Sequence, residues 1–102
     1  MKTALIHHPI YEKHDTGSGH PETPQRYRVV MDALQNDKKL WDDLVEITPE
    51  KAQQGIVQAA HTKEHFQRVE NAFAAGHDRL DADTTISMKS FDASLFAAGG
   101  AC

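Results

Sequence analysis

The stretch His14-Asp15-Thr16-Gly17-Ser18-Gly19-His20-Pro21-Glu22-Thr23-Pro24-Gln25-Arg26 constrains this chain more than any other. Gly17 and Gly19 open backbone angles closed to other residues, while Pro21 and Pro24 fix φ and remove amide donors. Thr23 followed by Pro24 is an N-cap with proline at the first helical position, and Tyr27, Val30, Met31 and Leu34 then recur at helical spacing. A shaped loop running from about His8 to Thr23 must therefore end where an amphipathic helix begins, and the spacing predicts that helix over 24–35. Loops specified in this way and mounted on rigid elements are where binding and catalytic groups concentrate.

The segments on either side set the fold class. Thr3-Ala4-Leu5-Ile6-His7 is short, apolar and partly β-branched, as a buried strand feeding a loop would be. Asn36-Asp37-Lys38-Lys39 reads as a polar break, and Leu44-Val45-Glu46-Ile47 as a second strand. Thr48-Pro49-Glu50 repeats the cap-then-proline signal and predicts a short helical segment reaching Gln58, weakened by Gly55. Thr62 caps a better helix over 63–75, with Phe66, Val69 and Phe73 on its apolar stripe and Gly76 just past its end. Residues 77–84 read as a second polar loop, and Ser87 or Ser90 as the cap of a last helix carrying Phe91, Leu95 and Phe96. Strands separated by helical crossovers predict one α/β unit over 1–102, with two short parallel strands and three to four helices. Two strands alone make a poor parallel sheet, since such sheets are normally covered on both faces.

Composition excludes several function classes. With 11 Lys+Arg against 15 Asp+Glu and a formal charge of −4, the chain lacks the clustered positive charge that binding to nucleic acid needs. It has no apolar run of about 18 residues to cross a membrane and no signal-peptide pattern at Met1–Ile6, so the expected location is cytoplasmic. The single cysteine, Cys102, cannot form an internal disulfide and has no activating neighbours in sequence.

Seven histidines make metal or catalytic groupings worth weighing. His61-Thr62-Lys63-Glu64-His65 matches H-x-x-E-H, an inverted zinc-peptidase pattern. Residues four apart share a helical face, but Thr62 as cap puts His61 outside the helix, and no third zinc ligand follows. His7 and His8 are adjacent on an extended segment and point to opposite faces. In the opening loop, His14, Asp15, His20, Glu22 and Arg26 can converge, with Glu22 and Arg26 forming a charge-assisted pair that pins the loop to the helix start. No nucleophile elbow, P-loop or dinucleotide-binding glycine pattern is present.

Taken together, His14-Asp15-Thr16-Gly17 and Gly19-His20-Pro21-Glu22-x-Pro24-x-Arg26 resemble the N-terminal loop of the histone deacetylase superfamily. The resemblance is strongest to its class II and bacterial amidohydrolase-like branch, which includes the acetylpolyamine amidohydrolases. His61-Thr62-Lys63-Glu64-His65-Phe66 is similar to that family's "vHt-x-e-y" segment, Leu80-Asp81-Ala82-Asp83-Thr84 to its "D-x-D-T" loop, and Phe91–Ala101 to the helix that follows. The resemblance implies an arginase/deacetylase α/β fold and a zinc-dependent deacetylase of acetyl-lysine or acetylpolyamine type. In that family a metal-bound water attacks the acetamide carbonyl, an imidazole pair handles protons and a tyrosine stabilises the oxyanion.

By the same resemblance, His20 and Pro21 line the pocket rim, and Arg26 matches the arginine near the acetate exit channel. Asp83 matches the rim aspartate that accepts hydrogen bonds from substrate backbone amides, ahead of Asp81. The family's histidine dyad, its D-x-H and later Asp zinc ligands and its oxyanion tyrosine match nothing in these residues. The sequence therefore predicts the first quarter to third of a deacetylase, truncated, inactive alone, with no catalytic residue and no metal ligand in this chain. An independent binding or oligomerisation module built on the same α/β start is the alternative. Either way, an uncovered strand edge and apolar surface predict self-association, as a symmetric dimer.

Overall fold

The computed structural model describes residues 2–102. Strand β1 (Thr3–Ile6) leads into a 3-10 turn at Pro9–Lys13, the opening loop and helix α1 (Pro24–Asn36). Helix α2 (Lys38–Asp43) runs directly into β2 (Leu44–Ile47), followed by α3 (Gln54–Gln58) and α4 (Lys63–Ala74). A small hairpin, β3 (Arg79–Asp81) and β4 (Thr84–Thr85), precedes α5 (Ser90–Ala101).

β1 and β2 pair in parallel, with Thr3 opposite Leu44 and Ile6 opposite Ile47. The predicted α/β arrangement and its two short parallel strands are therefore present. Their crossover carries two helices instead of one, because Asp37 serves both: its amide closes α1 on the Ala33 carbonyl, and its carboxylate caps α2 at the amide of Leu40, 3.1 Å away. The loop predicted over 8–23 likewise contains an ordered turn, in which the His8 ring accepts the amide of Ile10 at 2.9 Å.

Three further expectations are corrected. Thr48-Pro49 starts no helix. The segment after it is drawn onto α5, where the amide of Ala52 donates to the carbonyl of Leu95 at 2.9 Å and Lys51 pairs with Asp92 at 2.8 Å. Helix α3 begins only at Gln54. Residues 79–85 form a bulged antiparallel hairpin where a plain loop was predicted, since neither strand carries a period-2 apolar pattern. Finally, α5 starts at Ser90, and neither Ser87 nor Ser90 caps it in the ordinary way, because both hydroxyls are engaged by the opening loop.

The boundaries of α4 follow prediction to within a residue. The Thr62 hydroxyl accepts the amide of His65 at 3.1 Å. At the other end Gly76, at φ +73°, donates to the Phe73 carbonyl while His77 donates to that of Ala72, a Schellman closure. Packing is thin: Met31, Phe66, Ala72, Ile86 and Ala93 form the buried apolar set, and Phe91 bridges Phe66 and Phe73 across α4 and α5. Close approach at the end of α5 depends on glycine. A Cβ on Gly99 would overlap the Glu50 carbonyl, and one on Gly100 would crowd Ile6 and Pro49. The result is a slab of 45 × 33 × 16 Å. Its radius of gyration of 15.4 Å exceeds the roughly 13 Å usual for a compact chain of this length.

Candidate functional site

The opening loop is held at three places. Within it, the Asp15 carboxylate accepts the amide of Gly17 at 2.9 Å, Gly17 and Gly19 take positive φ, and the buried Thr16 hydroxyl donates to the Glu22 carbonyl. At the start of α5, the Ser87 hydroxyl accepts the amide of Asp15 at 3.0 Å and donates to the Lys13 carbonyl at 3.3 Å. Ser90, only 5% exposed, accepts the amide of Ser87 at 2.8 Å and is hydrogen-bonded to Nδ1 of His14 at 2.6 Å. At the hairpin, His20 reaches across 63 positions to the Asp83 carbonyl, 3.0 Å from its Nε2.

The His20 contacts fix its tautomer. Nδ1 accepts the amide of Glu22 at 3.1 Å and so carries no proton, which leaves Nε2–H to donate to Asp83. The turn around Asp83 is braced from the other side as well, since the Asp81 carboxylate accepts the amide of Asp83 at 3.0 Å. A hydrogen bond from the Thr84 side chain, reinforced by backbone amides, holds the Asp81 carboxyl below the usual carboxylate range. The Asp83 carboxylate itself is exposed.

This bracing leaves an open cleft of about 660 Å³ between loop and hairpin, lined by Gly17, Ser18, His20, Pro21, Arg79 and Asp83 among others. Three of the four residues singled out from sequence, His20, Pro21 and Asp83, thus share one cleft. Arg26 lies apart, exposed on the first turn of α1 and paired with Glu22 at 2.6 Å. That ion pair is the one expected between the loop and the helix start. The wider convergence of His14, Asp15, His20, Glu22 and Arg26 does not occur: His14 turns to Ser90, Asp15 to the Gly17 amide and His20 to the Asp83 carbonyl, which leaves Glu22 and Arg26 paired with each other. Behind the loop, Tyr11 and Tyr27 meet edge to face at 5.8 Å. Burial raises both phenols above the usual tyrosine range, and for Tyr27 the Glu12 carboxylate adds to the rise.

Four further histidines are engaged away from this cleft. His7 bonds Glu46 at 2.9 Å on one side of β1, while His8 stacks on Phe96 at 4.3 Å, so the two diverge as expected. His61 stands before the Thr62 cap and stacks on His65 at 4.8 Å. Among the described residues no three His, Cys, Asp or Glu side chains come together as a metal would require. The described residues therefore do not fit the zinc that the resemblance implies for a whole deacetylase. The Ser87–Ser90 pair that anchors the loop carried only a capping signal in the sequence, and its bond to His14 spans 76 positions.

The sequence profile of the histone deacetylase domain matches residues 20–102. A probable deacetylase of Archaeoglobus fulgidus is 34% identical over 102 residues, covering 99% of this chain and 28% of the archaeal protein. The crystal structure of the HDA15 HD domain superposes with a TM-score of 0.84 at 21% identity, covering 98% of this chain and 30% of that one, and so shares its fold. The chain thus spans under a third of the length of either relative. A profile match over most of the chain, an archaeal relative matched along nearly all of it and a common fold lead to one conclusion: the chain belongs to the histone deacetylase domain family.

Proposed function

We propose that these residues form the substrate-rim portion of a zinc-dependent deacetylase domain acting on an acetylated amine, of acetyl-lysine or acetylpolyamine type, and that they do not hydrolyse such a substrate by themselves. The observation that carries this reading is the shared cleft of His20, Pro21 and Asp83. In this reading the Asp83 carboxylate accepts amide N–H groups of a substrate; what supports it is that its turn is held from one side by His20 and from the other by Asp81. His20 and Pro21 shape the opposite wall. Arg26 supports the loop through Glu22, and its assignment to the neighbourhood of the acetate exit channel rests on the family resemblance alone. The chemistry of amide hydrolysis, a polarised carbonyl and an activated water, belongs to residues elsewhere in such a domain.

The test is an exchange. The matching segment of the Archaeoglobus relative is replaced by this chain, and hydrolysis of an acetyl-lysine peptide is measured with zinc present, beside the 102-residue chain alone. The exchange protein is expected to turn over and the chain alone to be inert. A folded, zinc-loaded exchange protein without turnover, or hydrolysis by the chain alone, would overturn the reading.

A further inference from the structure

Arg68, Asn71 and Ala72 lie on one face of α4 at spacings of three and four, and Ala75 follows at its end. The Schellman closure at Gly76 then turns the chain back, so that β3 packs against α4 and brings Arg79 to the same face. Between them is a cavity of about 360 Å³, lined by Arg68 and Arg79, by the polar side chains of Asn71 and His77, and by Ala72 and Ala75, whose small side chains leave the room. A chain with 15 Asp+Glu against 11 Lys+Arg thus gathers two of its four arginines at one cavity, and no acid lines it among the described residues.

Arg79 is common to this cavity and to the cleft of His20, Pro21 and Asp83. Its guanidinium donates to the Ala82 carbonyl at 3.4 Å, within the hairpin turn that carries Asp83. The two spaces therefore adjoin, with Arg79 between them. Neither Arg68 nor Arg79 forms an ion pair among the described residues. The Asp81 carboxyl, held low chiefly by the Thr84 side chain and the Asp83 amide, gains only a smaller contribution from the charge of Arg68.

Resting on the reading of that cleft as a substrate rim, we infer that the cavity of Arg68 and Arg79 is a subsite for an anionic side chain, carboxylate or phosphate, borne by a peptide whose acetylated lysine enters the domain beside Asp83. A guanidinium offers paired N–H donors matched to such oxyanions, and two of them at one cavity add charge to geometry. The subsite narrows the substrate class. An acetylpolyamine carries ammonium groups, which two guanidiniums repel, whereas an acetyl-lysine peptide with an acidic neighbour offers its amides to Asp83 and its side chain to the arginines.

The test uses the archaeal deacetylase carrying this segment, assayed on acetyl-lysine peptides that differ only in having Glu, phosphoserine, Gln or Lys at one neighbouring position, with the position scanned along the peptide. At one position the Glu peptide should exceed the Gln peptide in kcat/KM by about fivefold through KM, the contribution of one exposed ion pair, and the Lys peptide should fall below both. Arg68→Gln should bring the Glu and Gln peptides level, and high salt should narrow their gap. A phosphoserine peptide favoured with Glu, or above it, supports the subsite and tells which oxyanion it takes. Turnover that ignores the neighbouring charge at every position, as when another part of the domain already pairs these arginines, would overturn the subsite and leave the rim reading standing. A preference that survives Arg68→Gln would overturn it too. If no peptide is turned over, the rim reading fails, and titration of the 102-residue chain with the Glu and Gln peptides decides the subsite. Saturating amide shifts at Arg68, Asn71 and Arg79 with the Glu peptide alone would uphold it, and their absence would overturn it.

Discussion

Nε2–H of His20 donates to the backbone carbonyl of Asp83 at 3.0 Å, tying the opening loop to the hairpin turn 63 residues later. Because the other ring nitrogen accepts the amide of Glu22, one neutral imidazole joins both segments. Replacing His20 with alanine removes both bonds and should cost about 1 kcal/mol, a modest figure because the site is partly solvated. Amide hydrogen exchange checks it: residues 79–85 should exchange faster in the variant, and α4 should be unchanged.

The glycines of α5 and α3 should behave oppositely. Gly99→Ala sets a methyl group against the Glu50 carbonyl and should destabilise by about 2 kcal/mol. Gly55 meets nothing within 4 Å and lies inside α3, so Gly55→Ala should stabilise by about 0.5–1 kcal/mol. Urea midpoints for the two variants, moving in opposite directions, are the check.

Thr62 caps α4 through its hydroxyl, and Thr62→Ala should cost about 1 kcal/mol while Thr62→Ser costs much less. Thermal unfolding followed by circular dichroism separates the two. An equal loss in both would assign the effect to the threonine methyl group rather than the cap.

Tyr11 and Tyr27 are the only tyrosines, and both phenols are raised by burial. A raised acid binds its proton more tightly in the folded state. The stability it contributes is therefore complete below the unfolded tyrosine value near 10 and is lost as pH rises through the higher folded one. Phenolate absorbance should titrate above 10 in the native protein and return to about 10 in urea. A native midpoint at or below the urea value would contradict the packing of this pair.

The elements legible in the sequence are those whose signals are local. Thr62 and Gly76 bound α4 because capping and the Schellman closure need only neighbouring residues, and Leu44–Ile47 declares itself by β-branched residues between polar breaks. What was not legible depends on partners distant in sequence. Asn36–Lys39 does mark a break, but the sharing of Asp37 between two helices hid α2. Thr48-Pro49 carries a sound local start signal, overridden by the docking of Lys51 and Ala52 on α5. At the site, the loop was visible from its glycines and prolines. Its anchoring through Ser87 and Ser90 was not, because a serine near a helix start looks the same whether it caps the helix or holds a loop.

The most direct measurement is the dependence of acetyl-lysine hydrolysis on Asp83 in the archaeal deacetylase carrying this segment. If Asp83 receives substrate amides, Asp83→Ala should lower kcat/KM about tenfold through KM, the equivalent of one lost charge-assisted hydrogen bond of about 1.4 kcal/mol, with kcat nearly unchanged. An unaltered kcat/KM would contradict the assignment of this cleft as the substrate rim.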